Sequence, residues 1–133
     1  MSRLVLTHVF HPWHCDHFGH VNTRHYAAAF DDATFAFWAG LGVGQGSIVP
    51  VTARQMITYQ TESTSGTVVS IHAKPVRVGD KSVTLEFAMS DLAGGALAHF
   101  EVVEVFFDNT TRQSAKMPEN VRAALNALAE AAS

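Results

Sequence analysis

The sequence predicts an α+β chain in which an antiparallel sheet of five strands wraps a long central helix. Three observations carry this. Tyr26, Phe30, Ala33 and Phe37 recur at spacings of 4, 3 and 4, one apolar stripe of a helix too greasy to face water. From Pro50 onward the pattern changes to period 2 and holds that period almost to residue 108. In the last of these strands Phe100, Val102 and Phe106 point one way while Leu97, Val103, Val105 and Phe107 point the other, so both faces call for cover. One helix covers one face; a second subunit is the natural cover for apolar surface left over.

In chain order, residues 4–10 (LVLTHVF) are β-rich and read as a first strand. Pro12 ends regular pairing and opens a His-rich loop. Asn22 or Thr23 supplies the helix N-cap, because a short polar side chain accepts from the free N–H groups of the first turn. The helix runs to about Trp38, and Gly40, Gly42, Gly44 and Gly46 close it. That glycine run follows a helix and has no Lys-Ser/Thr after it, so it is not a phosphate loop. Strands are expected at 51–62, 67–78, 81–91 and 96–108, separated by the turn chemistries of Ser63–Gly66, Gly79–Asp80 and Leu92–Gly95. Within 81–91, Val83, Leu85, Phe87 and Met89 alternate with Ser82, Thr84, Glu86 and Ala88. Pro75 inside a strand implies an edge or a bulge. A terminal Ala/Leu-rich helix follows Pro118–Glu119, from 120 to 131. No repeat, linker or second domain interrupts residues 1–133.

Bulk properties narrow the function classes. A chain of 133 residues, 47% apolar, suffices for one real core. A net charge of −3 argues against non-specific attraction to nucleic acid or membrane. The lone Cys15 cannot form an internal disulfide. Ser2–Arg3 leads straight into a strand-like run rather than a leader, and no apolar run approaches the roughly 20 residues of a membrane span. The expectation is a soluble cytoplasmic protein.

The ionisable groups crowd into residues 11–26, HPWHCDHFGHVNTRHY. Five His, one Asp, the only Cys and a helix start share sixteen positions. His11, His14, Cys15, Asp16, His17 and His20 are ligand types for zinc. Structural zinc sites show two spaced ligand pairs, and this is one irregular cluster without HExxH or CxxC, so no metal is expected.

The run W-H-C-D-H-F-G-H-V-N-T-R-H-Y followed by F-D-D-A resembles the signature of the hotdog-fold acyl-CoA thioesterases of the 4-hydroxybenzoyl-CoA thioesterase type. The matching positions are Asp16, Gly19, Val21, Asn22, Tyr26 and the pair Asp32–Ala33. Pro75–Val76–Arg77–Val78–Gly79–Asp80 and Met117–Pro118 are similar to later family segments, so the likeness covers nearly the whole chain. Thr34 departs from it, since many relatives carry Arg there. The resemblance implies a hotdog fold, hydrolysis of an acyl-CoA thioester, and homodimers or homotetramers with substrate lying across a subunit interface. It implies Asp16 as nucleophile or general base, and the backbone N–H near Thr23 as the group that polarises the carbonyl. Gly19, His20, Val21, Asn22 and Tyr26 are the expected substrate-binding residues. No cofactor is implied, coenzyme A being part of the substrate.

The chemistry is consistent from below. A thiol with a pKa of roughly 8.5 leaves without a strong general acid. An activated attack and an oxyanion site remain to be supplied, by Asp16 and by the unpaired N–H groups at Asn22–Thr23–Arg24. Each residue has a plainer reading: Asp16 as a turn residue, Asn22 as a cap, His20 as a structural histidine, Tyr26, Phe30 and Phe37 as core. Asp31 and Asp32 read as a solvated pair, with Asp32 kept as an alternative catalytic carboxylate, and Cys15 is a weak nucleophile candidate. Lys74, Arg77, Lys81, Arg54 and Arg112 are candidate cations for CoA phosphates, each equally readable as surface charge. Two other functions fit the same sequence: an enoyl-thioester hydratase or dehydratase pairing Asp16 with His20, and a non-catalytic acyl-CoA-binding module.

Overall fold

A computed structural model describes residues 2–132. The elements are β1 (Arg3–Val9), a 3-10 turn (Pro12–His14), α1 (Thr23–Gly40), β2 (Ile48–Tyr59), β3 (Val68–Val78), β4 (Ser82–Asp91), β5 (Ala96–Asp108), β6 (Gln113–Ser114) and α2 (Glu119–Ala132). The strands form one antiparallel sheet in the order β1-β3-β4-β5-β2, with the two-residue β6 added to β5. The sheet wraps α1, the expected architecture with one short strand more.

The apolar stripe of α1 is buried as its spacing requires: Tyr26, Ala29, Phe30, Ala33, Phe37 and Trp38 all lie in the core. Phe30 stacks on Phe100, ring centroids 4.9 Å apart, while Phe37 meets Phe87 and Trp38 meets Phe106 edge-on. Those contacts identify the helix-facing side of the sheet. Val83, Leu85, Phe87 and Met89 of β4 lie on it opposite Glu104, Val102, Phe100 and Ala98 of β5. Asn22 caps the helix through its side-chain oxygen, which accepts from the Arg24 N–H at 3.1 Å. The helix runs two residues past Trp38. It closes where the Val43 N–H reaches the Trp38 carbonyl and the Gly42 N–H reaches that of Ala39, with Gly42 in the left-handed region at φ 71°.

The sheet shifts the bounds of one expected strand. The strand expected at 51–62 is Ile48–Tyr59, and Pro50 lies inside it. Proline is tolerated there because β2 is an edge strand with one free side. In the sheet β2 pairs with β5, and the 60–67 connection crosses to β3 near the other edge. Within the protomer α1 covers one face of β5, and Val103, Val105 and Phe107 stay half-buried on the other. Pro75 does sit at a bulge, between Pro75 and Arg77 in the register with β4, and beyond the last β1 partner Ala73.

Candidate active site

Between the 3-10 turn and α1 the chain folds into a miniature hairpin. Cys15 and Val21 form an isolated antiparallel bridge, the Asp16 N–H donates to the His20 carbonyl, and the Asn22 N–H donates to the His14 carbonyl at 2.9 Å. Its tip is a four-residue turn in which the Gly19 N–H reaches the Asp16 carbonyl. Gly19 has φ 84°, a backbone conformation natural to glycine. The Asp-x-x-Gly spacing is thus a turn requirement, and the Asp16 carboxylate takes part in it: Oδ1 accepts from the Phe18 N–H at 2.9 Å.

The other oxygen of that carboxylate, Oδ2, accepts from Asn22 Nδ2 at 3.3 Å. Asp16 is therefore held to the residue that caps α1. The Phe18 N–H, the Asn22 amide, the His20 N–H and the nearby His17 ring together hold its carboxyl below the usual carboxylate range, against a smaller upward push from partial burial.

The N–H groups at the helix start are mostly claimed. That of Asn22 goes to His14, that of Arg24 to the Asn22 side chain, and that of His25 to the Asn22 carbonyl. Of the three expected to serve as carbonyl donors, Thr23 alone has no protein partner among the described residues. Thr23 also lines an open cleft of about 460 Å³ with His20, Val21, Tyr26, Tyr59, Gln60, Thr61 and Glu62. Asp16, Gly19 and Asn22 stand beside the cleft and not in its wall. The structure thus brings the predicted residues to one end of α1, with the donor in the cleft and the carboxylate at its flank.

The other expected site residues divide by contact. Tyr26 is buried, stacks on Phe10 and donates to Ser63 Oγ at 2.8 Å. Its ring meets Tyr59 edge-on at 5.5 Å. Val21 is core, its N–H bonded to the Ser63 carbonyl at 2.8 Å. The His20 ring turns to Glu62, with Nε2 3.1 Å from the carboxylate, and makes no bond to Asp16. Tyr59, Glu62 and Ser63 were not singled out in sequence. They reach the site because the end of β2, at Tyr59, and the 60–67 connection that follows it pass the start of α1, and the only sequence signal was the turn-forming Ser63.

The remaining histidines form a separate group. The His14 ring lies 4.8 Å from that of His25 and 5.6 Å from that of His8, and its Nδ1 accepts from the His11 N–H. Partial burial, then the neighbouring imidazoles, push His14 down; burial does the same for His8, partly offset by Asp32. Among the described residues no three His, Cys, Asp or Glu side chains converge as a metal site. Cys15 Sγ faces the His11 carbonyl at 3.9 Å. Of the candidate CoA cations, Lys74 pairs loosely with Glu86 on the sheet face away from α1, and Arg112 covers the Phe107 ring. Thr34, where the family resemblance leads to an expectation of Arg, is buried and donates to the Phe30 carbonyl.

A second, larger groove of about 1170 Å³ runs between α1 and the open side of β2, walled by Asp31, Phe35, Trp38, Val49 and Val51 among others. Glu104 forms part of its floor and is 2% exposed; its carboxylate accepts from Trp38 Nε1 at 3.0 Å and from Thr52 Oγ1 at 2.6 Å.

Comparison with known proteins gives this geometry a context. Residues 10–125 match the thioesterase-like superfamily. No curated protein matches the sequence significantly. Among solved structures, a Pseudomonas aeruginosa protein is similar with a TM-score of 0.83 at 22% identity, over 96% of each chain. A Staphylococcus aureus protein solved in complex with CoA has a TM-score of 0.83 at 18% identity, over 98% of this chain and 86% of that one. A 1,4-dihydroxy-2-naphthoyl-CoA thioesterase from Synechocystis has a TM-score of 0.82 at 12% identity, over 96% of this chain and 98% of that one. At these identities the likeness is one of fold. No helix among the described residues is long and apolar enough to cross a membrane.

Proposed function

The chain belongs to the thioesterase-like superfamily, and on that footing we propose that it cleaves acyl-CoA to a free acid and CoA, with Asp16 attacking or activating water and the Thr23 N–H donating to the carbonyl oxygen. The observation that carries this reading is the pairing of a tethered, ionised carboxylate with the one unclaimed N–H at the start of α1. A carbonyl seated in the cleft with its oxygen on that N–H lies at the positive end of an 18-residue helix. Charge developing on the oxygen is stabilised by a donor that is already oriented. The carboxylate supplies the nucleophile or the base, and the thiolate leaves unaided. The chemistry needs no further cofactor.

The CoA-bound relative supports a CoA thioester as substrate. The unpaired β2 edge and the groove beside it support a homo-oligomer, a dimer or a tetramer, that closes over the cleft. His20 turned onto Glu62 leaves the Asp–His pair of a hydratase unmade.

The test is a hydrolysis screen with thiol detection over short, long, aromatic and hydroxylated acyl-CoAs, run with wild type and Asp16→Asn. The amide keeps an acceptor for the Phe18 N–H, so folding is retained, and thiol release is expected to fall by about 10³-fold or more. Turnover by Asp16→Asn at the wild-type rate would overturn the assignment.

A further inference from the structure

Asn22 stands at the junction of the two groups on which the proposed chemistry depends. Its Oδ1 takes up the Arg24 N–H, its Nδ2 donates to Asp16 Oδ2, and its own N–H is fixed on the His14 carbonyl. A cap needs only the first of these contacts. Ser, Asp and Asn cap about equally well, yet only Asn carries its acceptor and its donor on separate atoms; Ser has one oxygen, a bond nearer the backbone, for both tasks, and ionised Asp has no donor. The orientation is fixed at both ends, because Oδ1 on Arg24 leaves Nδ2 turned to Asp16.

We propose that Asn22 is the positioning residue of the site: one amide holds the Asp16 carboxylate at the start of α1, and by occupying the Arg24 N–H it leaves that of Thr23 as the single donor for the substrate carbonyl. This rests on the thioesterase reading of Asp16 and Thr23 and deepens it. Without the amide, the Phe18 and His20 N–H groups still hold the carboxylate toward the turn, but nothing ties Oδ2 to the start of α1. Misplacing a reacting group by about 1 Å can cost about 10²-fold in rate. The charged or titratable neighbour that remains at Asp16 is His17, which acts in every variant alike.

Because caps are interchangeable, helix stability and carboxylate placement can be separated. Asn22→Ser and Asn22→Asp are compared with wild type and Asp16→Asn on whichever acyl-CoA of the screen wild type hydrolyses fastest, with melting curves for each. Both Asn22 variants are expected to melt within a few degrees of wild type. Asn22→Ser should lose about 10²-fold in kcat with KM little changed, and the acid limb of its rate profile should move up as the carboxylate loses a donor. Asn22→Asp should move that limb further, since a second carboxylate then faces Asp16. Wild-type kcat in Asn22→Ser, or a lower kcat with an unmoved acid limb in both variants, would overturn the positioning role while leaving Asp16 and Thr23 in place. Full activity in Asp16→Asn would instead remove the reading beneath it.

Discussion

At the scale of single residues, the turn that carries Asp16 depends on backbone chemistry that is easily perturbed. Gly19 sits at φ 84°, and a Cβ built on it would meet nothing within 4 Å. A side chain there is disfavoured by the backbone alone. Gly19→Ala is therefore expected to destabilise the protein by about 1–2 kcal/mol in denaturant melts, with Gly19→Asn costing less because Asn tolerates the left-handed region. The same turn sets the response of Asp16 to pH. Its carboxyl is held below the ordinary range first by the Phe18 N–H. The folded form thus gains stability that is present above the unfolded pKa of about 3.9 and is lost as pH falls through the lower folded value. The acid limb of kcat/KM, which reports the free enzyme, should accordingly lie below about pH 4. A limb near pH 6 would mean that another group is titrating. The Asp-x-x-Gly-His-Val-Asn run was legible in sequence because it codes a local turn and a cap, both short-range geometries. That Asp16 and Asn22 share a hydrogen bond was not, since the five residues between them could fold without bringing their side chains together.

At the scale of elements, α1 is legible almost to its last residue, and its surroundings are less so. Period and cap chemistry are written into the helix itself. The place of β2 at the far edge depends on where a connection crosses, which local sequence does not encode, and with it went Tyr59, Glu62 and Ser63. Glu104 shows the same limit. The alternation of β5 places it between Val102 and Phe106 on the helix-facing side, yet a carboxylate there looks like an error until Trp38 and Thr52 arrive to satisfy it. Those bonds join α1, β2 and β5, and Glu104→Ala strands two donors, one of them buried. We expect a loss of about 2–4 kcal/mol by thermal or denaturant melting, and a smaller loss for Glu104→Gln, which keeps one acceptor. Where β1, the 3-10 turn and α1 meet, His8 and His14 impose a second dependence on pH. His14 accepts a backbone N–H through Nδ1, and protonation forfeits that bond. Both His8 and His14 are held below 6.5 in the fold. The unfolded chain then binds protons first as pH falls through about 6.5, and stability falls with it. Melting temperature should drop between pH 7.5 and 5.5, less steeply in His14→Asn, whose amide oxygen can accept from the His11 N–H.

At the scale of the whole molecule, the longer of the two edge strands of the sheet, β2, has an open side. β2 is twelve residues long, bonds to β5 on one side, and has no strand on the other among the described residues. Along it Val51, Met56 and Tyr59 are exposed, and beside it Phe35, on α1, is 70% exposed at the rim of the larger groove. A long, open, apolar edge is a surface on which an isolated protomer would stick to others indiscriminately unless one arrangement satisfies it. A second copy related by a two-fold axis offers the same edge antiparallel to the first, so two sheets can continue into one and two grooves can close together. Tyr59 lines the cleft and sits on that strand. An assembly built on β2 would therefore bear on the cleft through Tyr59. Val51→Asp and Met56→Lys place charge on the bare strand at positions already open to water, where a folded protomer loses little, about 0.5 kcal/mol or less. The native mass by light scattering should be a multiple of the 14.4 kDa chain and should fall to a single chain in the double variant, with hydrolysis falling in parallel. A double variant that is monomeric and fully active would place the whole site within one protomer. One that keeps its oligomeric mass would move the interface elsewhere, to the half-buried Val103, Val105 and Phe107 on the other face of β5.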